Sequence, residues 1–152
     1  MSLKNCKKQL LSGNTMKILP DDVRMEKQWH PGISPEMPFD LTWQAGGPQP
    51  ELRGDLHGAL QLTLVLAGEA EVVLPECRAD CGPGDVWWTM SWEPHAYRLQ
   101  GKHNFALSVN LDAGRLGSCA PFNKVDFLLA FSAPGPLRYR PGNDVERAAI
   151  RA

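Results

Sequence analysis

The run "GDLHGALQLTLVLAGEAEV", Gly54 to Val72, decides the fold. From Leu60 onward, "LQLTLVLAG" keeps its large apolar side chains two apart. That period belongs to a β-strand with one face buried. The same period lets Asp55, His57, Gln61 and Thr63 project to one side. After Gly68 a second run, "EAEVVLP", Glu69 to Pro75, repeats the strand character. The Gly68-Glu69 pair between them reads as a hairpin turn. Working outward, "FDLTWQAG" (39–46), "DVWWTM" (85–90), "HAYRLQ" (95–100) and "NFALSVNLD" (104–112) are further short strand runs. The chain's 14 glycines and 13 prolines fall between these runs, as turns of an all-β protein require. No amphipathic helix of respectable length precedes Val125, and "VDFLLAF" (125–131) fits a strand or a short helix. The tail "NDVERAAIRA" reads as a helix capped by Asn143 or Asp144, with Glu146 in its first turn.

Composition narrows the function classes. The chain has 152 residues, 43% hydrophobic and 22% charged, with formal net charge -1. That size fits one domain with a real core. The charge offers no basic face for nucleic acid. The longest apolar run falls well short of the ~20 residues a membrane helix needs. "MSLKNCKKQLLSG" lacks the apolar core of a signal peptide, so a cytoplasmic location is expected. Cys6, Cys77, Cys81 and Cys119 are then expected as reduced thiols. Cys77 and Cys81 flank what reads as a charged turn, without zinc-knuckle spacing. The C-terminal helix stops after two or three turns, too short to stand alone, and the natural chain is expected to continue past it. No phosphate-cradling glycine loop, Ser-His-Asp order or C-x-x-C pair is present.

Chemistry concentrates in two places. One is the opening run. The other is "GPGDVWWTMSWEPHAY", Gly82 to Tyr97, where three of the five tryptophans stand beside His95. Two imidazoles, a carboxylate and an amide brought into one barrel make either a metal site or a polar ligand cradle. These stretches resemble the two motifs of the cupins: Asp55-x-His57, Gln61 and Gly68, then Pro83-Gly84-Asp85 and Pro94-His95. The likeness runs from Gly54 to Asn110. A narrower likeness, over "GALQLTLVLAGEAEV", "CGPGDVWWTMSWEPHAY" and "FALSVNL", is to the sensor half of AraC-type transcription regulators. The resemblance implies a cupin (double-stranded β-helix, jelly-roll) barrel at residues 38–140. An N-terminal arm (1–37) and the start of a C-terminal helix (141–152) flank it.

It further implies a sensor that binds a small effector, a sugar or organic acid, and that forms a homodimer. DNA would be reached only through a helix-turn-helix domain not present in this chain. On this reading the chain is not an enzyme and no cofactor is expected. Two departures support that expectation: Asp55 stands where metal-binding cupins carry a first histidine, and Gln61 where enzymes carry Glu. Were a metal bound, Asp55, His57 and His95 would be its ligands, for zinc, iron or manganese. The alternative is a small metal-dependent cupin enzyme, an isomerase or dioxygenase.

The effector pocket is assigned to His57, Gln61, Trp88, Trp92 and His95. Alternation separates Trp88, with Val86 and Met90, from Trp87, with Thr89, but does not say which face is inside. Trp29 and Trp43 are assigned to an arm that crosses the pocket. His30 and His103 read as loop residues, and Arg53, Arg98 and Lys102 as solvated charges. Self-association is expected either through the tail stripe of Val145, Ala148, Ala149 and Ile150 or through strand edges.

Overall fold

The computed structural model describes residues 19–25, 31–75, 77–119, 122–124, 138–139 and 142–151. Its ten strands are β1 (Val23–Met25), β2 (Phe39–Gly46), β3 (Leu52–Asp55), β4 (Leu60–Ala67), β5 (Ala70–Leu74), β6 (Cys77–Cys81), β7 (Val86–Thr89), β8 (His95–Leu99), β9 (Asn104–Leu111) and β10 (Arg138–Tyr139). Two helices, α1 (Ala113–Leu116) and α2 (Asp144–Arg151), and a 3-10 turn at Phe122–Lys124 complete the described elements. One sheet has the order β1-β3-β8-β5-β6, the other β10-β7-β4-β9-β2. All pairings are antiparallel except β1 with β3. This is the expected all-β, double-stranded β-helix barrel.

Two glycine turns set its geometry. At "GPGD" Pro83 and Gly84 are the central residues of a turn in which the Asp85 N–H donates to the Gly82 carbonyl at 2.9 Å. Gly84 has φ 87°, the left-handed position that a proline-led turn of this kind assigns to glycine. The buried Asp85 carboxylate accepts the Gly82 N–H at 2.9 Å, and Val65 exchanges backbone bonds with Gly84 and Asp85. The motif therefore fastens the entry of β7 to the middle of β4. At Gly68 φ is 79°, and a side chain would collide with Asn104.

Several expectations change. The Gly68-Glu69 step is not a hairpin: β4 and β5 lie in different sheets, so it is the corner where the chain crosses between them. The Cys77–Cys81 segment is not a turn but strand β6, paired along its whole length with β5. Residues 23–25, within the stretch read as an arm, form an edge strand. Trp43 does not cross a pocket; it sits in β2 and stacks on Phe105 with ring centroids 5.2 Å apart. Trp29, His30, Cys6 and the run 125–131 lie outside the described residues. The tail helix forms with Asn143 as its cap: the Glu146 N–H donates to Asn143 Oδ1 at 2.9 Å. No disulfide occurs among the described cysteines. No helix among the described residues is long and apolar enough to cross a membrane.

The apolar core lies between the sheets, with Val72 and Leu74 of β5 and Leu99 of β8 from one and Val65 of β4 and Trp87 of β7 from the other. Strand register divides the β2-β9-β4-β7 sheet differently. Thr42, Ser108, Thr63 and Trp87 share one face, as do Asp40, Asn110, Gln61 and Thr89. Gln61, Thr63, Trp87, Thr89, Ser108 and Asn110 are all buried, so the inward face of this sheet is largely polar.

Candidate metal centre

Asp55 and His95 are Cα partners across β3 and β8, at the end of their sheet. The chain leaves β3 at Asp55, passes through His57 and enters β4 of the other sheet at Leu60. His57 is thus carried over the gap toward Gln61, which faces in from β4. The potential ligand atoms of Asp55, His57 and His95 all lie within 4.8 Å of one another. Both histidines are buried, with ring centroids 5.0 Å apart and planes at 77°, while Asp55 is half-buried.

Each ring is held from behind by a backbone carbonyl. His57 Nδ1 lies 3.2 Å from Ala59 O, and His95 Nδ1 lies 2.8 Å from Glu93 O. A carbonyl only accepts, so each Nδ1 carries a proton and, in the neutral ring, Nε2 carries a lone pair. Burial pushes the His95 pKa below its ordinary value, aided by His57 and opposed by the Glu93 carbonyl and Asp55. Its ring is therefore neutral at pH 7. Both Nε2 atoms converge on the Gln61 carboxamide, at 2.9 Å from His57 and 3.1 Å from His95. The other end of that amide meets Thr63 Oγ1 at 3.1 Å and Ser108 Oγ at 3.3 Å.

These facts test whether the residues suit a divalent ion. With the Gln61 oxygen toward the rings, three lone pairs face one another with no proton between them, an arrangement that needs a cation. With the amide turned, its two N–H groups donate to the two rings. Carboxamide orientation follows the hydrogen-bond network, and the hydroxyls of Thr63 and Ser108 can serve either end. The spacing is informative too. Donors bound at about 2.1 Å and at right angles on one ion stand roughly 3.0 Å apart. The two ring-to-amide separations match this spacing, and the Asp55, His57 and His95 donor atoms, within 4.8 Å of one another, are in reach of one ion. Two imidazoles with a carboxylate, and an amide oxygen beside them, suit iron(II) or manganese(II).

Of the five residues assigned to the pocket, the structure brings His57, Gln61 and His95 together. Trp92 lies close by: its N–H donates to His57 O at 2.8 Å and its ring packs over Gly58. Trp92 also has φ 60°, rare for a bulky residue, and such strain tends to collect at functional sites. Trp88 is the Cα partner of Leu62 and so lies on the face opposite Gln61. Trp87 and Thr89 occupy the inner face instead. Arg98 is bonded to the buried Glu71 at 2.6 Å, while Arg53, Lys102 and His103 are exposed. Sequence reasoning missed Thr89, Asn110 and Ser108, which flank Gln61 or lie one pair along the strands.

No family model and no curated protein matches the chain. Solved structures do. A cupin superfamily protein from Desulfitobacterium hafniense aligns with TM-score 0.44 and 20% identity over 48% of this chain and 66% of its own. A variant of oxalate decarboxylase from Bacillus subtilis aligns with TM-score 0.39 and 23% identity over 47% and 21%. Hydroxypropylphosphonic acid epoxidase from S. wedmorenis aligns with TM-score 0.43 and 15% identity over 49% and 44%. The matched part is thus less than two thirds of each of these proteins, and what they share with this chain is the fold. None of them points to an AraC-type context.

The expectation that the chain is not an enzyme is corrected here. Its buried pair of histidines closes with Asp55 into a set of the kind that holds catalytic metals. The departures from the cupin motif that had argued against a metal still leave three strong donors in reach of one point.

Proposed function

We propose that this protein is a small metal-dependent cupin enzyme, of the isomerase or dioxygenase kind. Asp55, His57 and His95 would hold a divalent ion, with the Gln61 carboxamide beside them. The observation that carries this reading is the convergence of two Nε2 lone pairs, each with its Nδ1 proton committed to a backbone carbonyl, on a single buried amide. An ion so held polarises a substrate oxygen and can leave coordination positions open for it. The chain's own residues do the rest. Ala59 and Glu93 carbonyls fix the ring tautomers, the kind of outer support that sharpens metal affinity. Burial keeps His95 a neutral ligand.

Metal binding tests the proposal directly. The protein stripped with chelator should take up close to one iron(II) or manganese(II) per chain. His57→Ala and Asp55→Ala should each weaken uptake at least tenfold, the usual scale for losing a ligand or its support. Uptake far below one ion per chain, or unchanged in both variants, would sink the proposal and return the pocket to effector sensing for a DNA-binding partner domain.

A further inference from the structure

Gln61 does not face the barrel interior alone. Register places Asn110 on one side of it, in β9, and Thr89 on the other, in β7. Both side chains are fully buried, at 0% exposure. Yet Thr89 Oγ1, Asn110 Nδ2 and Asn110 Oδ1 have no hydrogen-bond partner among the described residues. Trp87 Nε1, two residues along the same face from Thr89, is likewise buried and unpartnered. An unpaired buried polar group costs on the order of 1–3 kcal/mol. Native interiors carry few such groups, so four such atoms in one neighbourhood call for a reason. One pair along the strands, Thr63 and Ser108 bond to each other at 2.9 Å and to Gln61; farther off on β2, Gln44 Oε1 is also buried without a partner among the described residues.

We infer that Asn110 and Thr89, with Trp87 behind them, form the substrate-recognition row beside the metal centre, and that the substrate is a neutral polyhydroxy compound. The inference rests on the metal-centre reading and names its substrate class. The unpartnered atoms supply donors at Asn110 Nδ2, Thr89 Oγ1 and Trp87 Nε1 and an acceptor at Asn110 Oδ1. A hydroxyl both donates and accepts, and so satisfies this mixture; a carboxylate or phosphate only accepts. Charge agrees. Among the described residues no Lys or Arg is buried, so no side-chain cation there pairs with an anionic substituent.

The test uses manganese(II)-loaded protein and calorimetric titration with D-fructose, D-xylose and xylitol as neutral probes. Glycolate, D-gluconate and inorganic phosphate serve as anionic ones. At least one neutral probe should bind, and Thr89→Val and Asn110→Leu should each weaken it tenfold or more, with manganese(II) affinity changed less than threefold. In the ligand-free protein the same variants should melt at the same temperature or higher, because each removes a buried polar group that makes no bond. Binding of anions alone, of no probe, or of a neutral probe with equal affinity in both variants would overturn the inference. So would a fall of several degrees in both melting temperatures, since it would show these groups already paired. Failure to bind manganese(II) in the unaltered protein is read separately and overturns the metal-centre proposal itself.

Discussion

At the scale of single residues, His95 gives the sharpest expectation. Burial depresses its pKa in the folded protein relative to the unfolded chain, whose value is near 6.5. Above that pH both states are neutral at this ring, and it adds no pH dependence. As pH falls through 6.5 the unfolded chain takes a proton that the folded protein resists, so stability declines until the folded pKa is reached, by up to about 1.4 kcal/mol per pH unit. Asp55 opposes this loss and His57 deepens it. In chelator, denaturant midpoints should drop between pH 7 and 5, and His95→Gln should flatten that drop. An identical slope in the variant would show that another group titrates. The residues of this centre were largely legible: His57, Gln61, His95 and the Asp55 alternative all stand in the sequence at telling spacings. Thr89 and Asn110 were not. Nothing local marks them, because their closeness to Gln61 depends on β4 pairing with both β7 and β9. Trp87 and Trp88 show the same limit: alternation separates two faces without saying which one turns inward.

At the scale of elements, most strands follow from their alternation, and what the sequence hides is which strand pairs with which. The run from Leu60 to Leu74 has the pattern of a hairpin, yet its two halves belong to opposite sheets. The reason lies at Gly68, where a positive φ and the approach of Asn104 turn the chain across the barrel. Asn104 then secures the corner, accepting the Glu69 N–H and donating to the Gly46 and Gly101 carbonyls. Strand β6 hid for another reason: Arg78 and Asp80 point outward on an edge strand, and polar outward residues look like a turn. The corner makes a prediction. Gly68→Ala puts a side chain both in a left-handed position and against Asn104, and should cost about 1–3 kcal/mol of unfolding free energy. Gly82→Ala, where the added carbon meets nothing within 4 Å, is the control and should stay within about 0.5 kcal/mol. Equal stability of the two variants, measured by denaturant unfolding, would mean that the corner relaxes freely.

At the scale of the whole molecule, the β2-β9-β4-β7 sheet has the opposite polarity to an ordinary barrel wall. Its inner face is largely polar, whereas Phe39, Leu41 and Trp43 of β2 and Phe105, Leu107 and Val109 of β9 all share its outer face. The first three and Phe105 are well exposed, and Trp43 and Phe105 stack there. No charged residue interrupts the outward positions of β2, β9, β4 or β7. An uncharged face of this breadth finds its electrostatic match in another uncharged face, and a second copy related by a two-fold axis presents one. Among the described strands β2 is moreover the last of its sheet, and its outer edge continues the same surface. A dimer joined through the β2-β9 face is therefore expected, and sedimentation velocity over a micromolar concentration range should show it. Leu41→Lys combined with Trp43→Lys should shift the protein to monomer, while Val145→Lys should leave the dimer intact. Manganese(II) uptake should survive both changes, since these side chains lie on the far side of the sheet from Gln61. A monomer at every concentration, or a dimer that resists the β2 lysines and yields to Val145→Lys, would remove this face as the interface.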